Sequence, residues 1–164
     1  MALIPSNIEK INRSQWLTYL DVTPSAVNPS WKVLGIGVTD YSLDYNPQVD
    51  TEKWIIEDNS RSDHASNQKQ GSVTQKTYKG DDLFEFVANG RDKLNYKTHI
   101  LDIDRWNGNG TTYPAKMSDG KVVVTSVMGE NSEISYDIYY DGDTIEGTVT
   151  IADGVPTFTA TTSL

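Results

Sequence analysis

A mainly β, antiparallel domain with a single helix is the fold class this sequence predicts, on three observations. Apolar and polar residues alternate in short runs along most of the chain, which is the period of a half-buried strand. Asp-Gly pairs recur at Asp119-Gly120, Asp141-Gly142 and Asp153-Gly154, and such pairs suit the type I′ hairpin turn, which needs positive φ at both positions. Only one stretch, following Asp81, carries strong helical periodicity.

The elements follow in order. Residues 1–30 hold Pro5, Pro24 and Pro29 among Ser and Asn. They are expected to form an irregular arm with one short helix around 15–20. Residues 31–164 are expected to form one β-rich domain. Residues 31–39 read as strand, 41–45 continue it, and Asn46-Pro47 breaks it. A third strand is predicted over 52–57, around Trp54, Ile55 and Ile56. Residues 58–71 are polar without periodicity and read as a long loop, the mobile tip of a hairpin that returns over 72–78. The helix is predicted over about 81–94, with Asp81 as its cap and Asp82 and Glu85 at the positive end of its dipole. Leu83, Phe86 and Val87 share its apolar face, and Gly90 is placed to stop it. Strands are then predicted over 97–104, 111–117, 121–128, 133–140, 144–151 and 157–161, with Pro114 and Pro156 at edges or strand starts.

A two-residue turn at Asp141-Gly142 gives a hairpin with one apolar face, on which Ile138 meets Ile145 and Ile134 meets Val149. Its other face sets Asp137 against Glu146. Neighbouring carboxylates of this kind can split their pKa values, as glycosidases use them, whereas a solvated acidic face is the plainer reading.

Composition narrows the function classes. The 164 residues suit one domain, and the 37% hydrophobic share, lower than usual, suits a thin β-layer or a core completed by partners. The formal net charge is −9 and no basic run appears, which argues against a nucleic-acid-binding surface. A surface past which nucleic acid slides without sticking fits that charge. With no cysteine, disulfides, thiolate metal sites and thiol nucleophiles are excluded. Residues 1–10 lack the basic segment and apolar run of a signal peptide, and no stretch reaches the length of a membrane span. A chain made and kept in a cytoplasm is expected, so the glycosylation patterns at Asn12-Arg-Ser14 and Asn109-Gly-Thr111 read as chance.

The remaining chemical constellations are thin. His64 and His99 stand far apart without metal-type neighbours. Asp102, Asp104, Asn107 and Asn109 suggest a calcium loop, but Trp106 and Tyr113 occupy positions that the EF-hand spacing gives to ligands. Gly35 and Gly37 begin a dinucleotide motif in which Asp40 stands at the third glycine, and Gly120-Lys121 lacks the rest of a P-loop. Trp16, Trp31, Trp54 and Trp106 allow a sugar-stacking surface, the alternative being core or interface packing.

Five segments stand in a characteristic order: Tyr41-Ser-Leu-Asp-Tyr-Asn-Pro-Gln48, Glu52-Lys-Trp-Ile-Ile-Glu57 with the polar loop after it, Thr77-Tyr-Lys-Gly-Asp-Asp82 leading into the helix, and Gly142-Asp-Thr-Ile-Glu-Gly-Thr-Val-Thr150. Together, over roughly 39–159, they resemble the major tail tube proteins of tailed bacteriophages, of the long, non-contractile siphovirus type. The resemblance implies a β-sandwich or split barrel of antiparallel strands with a flanking helix. It implies a structural virion protein that self-assembles into stacked hexameric rings around a DNA channel, without active site, metal or cofactor. Its partners would be further copies of itself and other tail proteins, such as the tape measure and tail terminator. DNA would pass without specific binding and no membrane would be engaged; the chain would be made in the host cytoplasm and reside in the virion tail. Asp44, Glu52, Glu133, Asp137 and Glu146 are the candidate acidic lumen face. Asn59, Arg61, Asp63, His64, Asn67 and Lys69 are the candidate inter-ring loop. A carbohydrate-binding β-sandwich is the alternative.

Overall fold

The computed structural model describes residues 7–161. The first six residues of the expected arm, and residues 162–164 of the expected domain, lie outside them. In chain order the strands are β1 (Trp16–Asp21), β2 (Trp31–Val33), β3 (Val38–Asp44), β4 (Pro47–Glu52), β5 (Arg61–Asn67) and β6 (Gln70–Lys76). Helix α1 (Asp82–Asn89) then precedes β7 (Tyr96–Asp104), β8 (Thr112–Ser126), β9 (Glu133–Ala152) and β10 (Val155–Ala160). An antiparallel 8-stranded sheet runs β2-β1-β7-β8-β9-β6-β3, with β10 also paired to β9; β4 and β5 form a separate 2-stranded sheet. The large sheet curls into a half-barrel with one flanking helix, the sandwich or split-barrel class expected from the sequence. No helix among the described residues is long and apolar enough to cross a membrane.

Both faces of the sheet carry a core, because successive side chains of a strand point to opposite sides. On one face Leu20, Ile100, Val122, Tyr136 and Ile138 pack with Leu83, Phe86 and Val87 of α1. On the other, Tyr19, Trp31, Leu101, Ile103, Ala115 and Val149 pack together, and β10 curls round against β2 to enclose them. Adjacent residues Tyr19 and Leu20, or Ile100 and Leu101, therefore serve different cores. A helix over 15–20 is overturned for this reason: one helical face cannot supply two cores, and Trp16–Asp21 is strand β1, between β2 and β7. A single 3₁₀ turn, Arg13–Gln15, precedes it, with the Asn12 amide donating to Gln15 Oε1 at 2.9 Å.

Helix α1 starts as expected. The Asp81 carboxylate accepts from the Leu83 amide at 3.2 Å and from Gln75 Nε2 at 2.8 Å, and the Tyr136 hydroxyl donates to Gln75 Oε1 at 2.9 Å. This buried network fastens the helix cap to the sheet. The helix ends at Asn89, shorter than the predicted span, and 91–94 are turn and bend with Leu94 exposed. Gly90 is not left-handed (φ −91°); a Cβ there would meet the Tyr96 ring, which stacks on Phe86 with centroids 4.7 Å apart. The glycine makes room for that ring.

Several boundaries differ from the sequence reading. The strand expected over 31–39 is split by a turn at 34–37, where Gly37 takes φ +73°. Asp119-Gly120 and Asp141-Gly142 are not hairpin turns: they lie opposite each other inside β8 and β9, which run through as strands of 15 and 20 residues. The register shifts between Met117 and Asp119, and Gly142 (φ +69°) sits in the bulged segment of β9. A bulge and a type I′ turn both use a left-handed glycine, so the dipeptide alone does not separate them. Asp153-Gly154 does make the expected two-residue turn, with φ +51° and +78°, joining β9 to β10. Pro114 lies just beyond the last β7–β8 pair, Ile103↔Ala115, and Pro156 lies in β10.

Where β8 pairs with β7 at Thr98↔Gly120, a Cβ on Gly120 would stand 2.5 Å from Ile100 Cδ1 and 2.5 Å from the Tyr139 carbonyl oxygen. Gly120→Ala is therefore expected to destabilise the fold by about 1–3 kcal/mol. Gly129→Ala, where a Cβ meets nothing within 4 Å, should change stability by about 0.5 kcal/mol or less. Chemical denaturation of the two variants checks the difference.

Candidate functional site

The pairing of β3 with β6 continues past the core as a two-stranded arm. Pro47↔Asn67 through Glu52↔Arg61 pair β4 with β5, and every residue of both strands is exposed. The polar stretch expected as a long loop over 58–71 is thus mostly strand, β5 and the start of β6; the expected strand over 52–57 is mostly the tip. Alternation reports burial on one face, and β5 buries neither, so its polar sequence carried no strand signal. At the tip, Trp54 and Ile56 are exposed and Ile55 fully so. The Arg61 guanidinium lies 4.0 Å over the Trp54 ring and pairs with the Glu57 carboxylate, while Trp54 Nε1 donates to Glu52 Oε1 at 3.0 Å. Its hydrogen bond from Arg61 holds the Glu57 pKa below the ordinary value. These contacts shape the tip so that Ile55 and Ile56 project into solvent.

Of the residues expected in an inter-ring loop, Asn59 lies at this tip, and Arg61, Asp63, His64 and Asn67 lie along β5. His64 Nε2 and Asn67 Oδ1 are 2.7 Å apart. Lys69 is elsewhere, at the root of the arm.

The expected acidic face is brought together in part. Directly opposed residues share a face, so the registers Asp44↔Gln70↔Tyr139 and Ser42↔Ser72↔Asp137, with Lys76↔Glu133, place Asp44, Asp137 and Glu133 on one outer surface of the sheet. Gln70 Nε2 donates to Asp137 Oδ2 at 3.1 Å. Asp40, Asp119 and Asp141 join that surface, with Lys76, Lys97 and Lys121 interspersed; Lys121 pairs with Asp141 at 3.2 Å and His99 with Asp119 at 2.8 Å. Glu52 stands apart on the arm. Glu146 pairs with Lys116 on the opposite face of the sheet. Since β9 runs through as one bulged strand, Asp137 and Glu146 oppose Val123 and Lys116 and stand about 23 Å apart along the sheet, and the paired-carboxylate arrangement does not exist.

A cleft of ≈ 340 Å³ opens where the half-barrel ends, walled by β1, β3 and β7. Its floor is a polar network that the sequence reading missed. Thr18 Oγ1 and Tyr140 Oη each donate to Asp102 at 2.8 Å, Lys69 Nζ donates to Thr144 Oγ1 at 2.9 Å, and the hydroxyls of Tyr41 and Tyr140 are 3.5 Å apart. Lys69 Nζ also lies 5.0 Å from the Tyr140 ring centre and 5.5 Å from that of Tyr45. Burial raises the Asp102 and Tyr41 pKa values and lowers that of Lys69; burial, then the Asp102 charge, raises that of Tyr140. These partners lie up to 99 positions apart, beyond the reach of any spacing rule.

The other constellations disperse. Asp102 is occupied in the cleft, and Asn109 Oδ1 accepts from the Thr111 amide and hydroxyl and from the Thr112 amide, an Asx turn rather than an open ligand. Trp31 is core. Trp16 and Trp106 pack with centroids 5.6 Å apart beside the cleft, both exposed. Compared with protein-family models and with curated proteins, the sequence matches none.

Asp102 also makes stability depend on pH. Because burial lifts its pKa above 3.8, the folded chain holds this proton more tightly than the unfolded one. The resulting stability is complete below pH 3.8 and is lost as pH rises through the raised value. Asp102→Asn removes that loss, so the stability of the variant relative to the parent should rise between acid and neutral pH, by at most about 1.4 kcal/mol per pH unit in that window. Parallel denaturation profiles for the two proteins would show that burial does not shift this carboxyl.

Proposed function

We propose that this chain is a self-assembling structural subunit, and that the assembly it builds is the tail tube of a bacteriophage. The observation that carries the reading is the β4–β5 arm. A two-stranded ribbon with no core on either face is marginal by itself in water. This one stands clear of the domain and ends in Trp54, Ile55 and Ile56, an apolar tip on which, among the described residues, Arg61 covers part of the Trp54 ring and Ile55 and Ile56 stay exposed. Burying such side chains is worth about 1.5–3 kcal/mol each. That is too little for a stable pair once association entropy is subtracted, and ample for a ring or stack in which every subunit contributes the same contact.

The rest of the molecule suits that use. The edge of β3, at the end of the sheet, is available to a strand of a neighbouring copy, and closing a ring is a productive way to cover such an edge. In this reading hexameric rings stack through the arms, and the outer face bearing Asp40, Asp44, Glu133 and Asp137 lines the channel. DNA phosphates then meet repulsion, and the conduit stays open. The order of segments that resembles the tail tube proteins covers the arm, the helix and the long β9 strand, so the resemblance and the geometry point to the same parts.

A glycan-binding reading has one specific support, the exposed Trp16–Trp106 pair beside a polar cleft. Glycan-array binding that disappears in Trp106→Ala would favour it over assembly.

Negative-stain microscopy of concentrated protein is expected to show rings or tubes. The triple variant Trp54→Ala, Ile55→Ser, Ile56→Ser should keep the parent's circular dichroism and lose stacking. Tubes growing normally from that variant would remove the arm from the assembly contact, and a chain monomeric at every concentration and salt would sink the assembly reading.

A further inference from the structure

The cleft inverts the charge of the protein around it. The chain carries a net charge of −9, yet Arg13, Lys69 and Lys116 all line this one opening, with Asp102 and Asp104. Among the described residues neither Arg13 nor Lys69 forms an ion pair, and Lys116 reaches Glu146 only at 4.0 Å. Aromatic faces hold two of these cations in place: Arg13 lies 5.7 Å from the Tyr41 ring centre, and Lys69 lies between Tyr45 and Tyr140. Each makes one side-chain hydrogen bond, Arg13 to the Trp16 carbonyl at 2.7 Å and Lys69 to Thr144 at 2.9 Å. A guanidinium has five donors and an ammonium three, so both have capacity left. The one carboxylate at the floor, Asp102, has its oxygens engaged by Thr18 and Tyr140. Trp16, Leu17 and Leu43 add apolar wall. Cations positioned on aromatic rings beside apolar surface, and short of anions, suit a carboxylate carried next to an apolar side chain.

We propose that this cleft binds a carboxylate presented by a second copy of this chain, from the tip of its β4–β5 arm. The tip has that composition: Asp58 stands beside Trp54, Ile55 and Ile56, flanked by Glu57, which Arg61 pairs, and by Lys53 and Glu52, the latter accepting from Trp54. It cannot reach the cleft of its own chain, because Tyr45 and Lys69 of the cleft are the root of the same arm. A six-residue paired strand holds the tip about 20 Å away from that root. Tip into cleft is thus a heterologous contact, which repeats from copy to copy and closes into rings or extends into stacks. The proposal rests on the assembly reading and adds the receiving surface and its chemistry to it.

The test uses the full chain carrying Trp54→Ala, Ile55→Ser and Ile56→Ser, which keeps the host from assembling, labelled for NMR. Two probes are titrated: a capped peptide of residues 52–58, and succinate as a free carboxylate. The peptide is expected to shift the resonances of Arg13, Tyr41 and Lys69 saturably. Arg13→Gln with Lys69→Gln should weaken it about tenfold or more, as should the amides Glu52→Gln, Glu57→Gln and Asp58→Asn in the peptide. Lys121→Gln, on the other face of the sheet, should leave binding unchanged. Shifts that survive the double substitution, or peptide bound elsewhere, overturn the site. Succinate binding without peptide binding overturns the second copy as the source. Rings in micrographs with an unresponsive cleft would end this proposal and leave assembly standing; a responsive cleft without rings at any concentration would end the assembly reading alone.

Discussion

The pairing of β8 with β9 is the constraint on which the rest of the structure depends. Both strands are long enough to pass through two cores, and together they carry residues of each: Val122, Tyr136 and Ile138 under the helix, Ala115 and Val149 in the other lobe. A sheet with apolar side chains on alternating faces cannot be satisfied by one covering layer. Here the helix covers one face at one end, and the curl of β1, β2 and β10 covers the other face at the other end. The bulges between Met117 and Asp119 and between Val124 and Ser126 bend the pair so that both coverings fit.

This division leaves surfaces that the domain itself does not use. Beyond the helix-covered lobe the outer face is polar and rich in acids, since no layer packs there. At the edge, β3 and β6 keep pairing after the core has ended, and the continuation becomes an arm. At the mouth of the half-barrel the cations gather on tyrosine rings. Acids outnumber cations on the face and the arm, and cations outnumber acids in the cleft, so the charge is unevenly divided between elements, although the composition reports only a net −9. Segregation of this kind is what heterologous self-association needs, because each surface meets a different one on the next copy.

How much of this was legible in the sequence depends on the range of the interactions. The cap at Asp81, the apolar stripe Leu83–Phe86–Val87 and the turn at Asp153-Gly154 are local, set by contacts within a few residues, and they were read correctly. Asp119-Gly120 and Asp141-Gly142 have the same local chemistry as that turn, yet they face each other across two continuous strands. Nothing local marks β1 as strand, because its neighbours, Trp31 to Val33 and Ile100 to Asp104, lie elsewhere in the chain. The polar strand β5 carries no strand signal because it has a partner strand but no core. Of the candidate acids, Asp44, Glu133 and Asp137 share a face, whereas Glu52 ends β4 on the arm, and Glu146, expected there through a hairpin turn that does not form, lies on the opposite face.

The sequence by itself determined that this is a β-rich chain with one capped helix, an acidic surface and an apolar Trp-Ile-Ile segment amid polar residues, because period, capping and composition are properties of neighbouring residues. Only the tertiary structure decided which strands run through, which acids meet, and that Arg13, Tyr41, Lys69, Asp102 and Tyr140 form one cleft. Those outcomes turn on strand register and on the bending of two long strands to serve two cores, and register is settled by contacts between residues far apart in the chain.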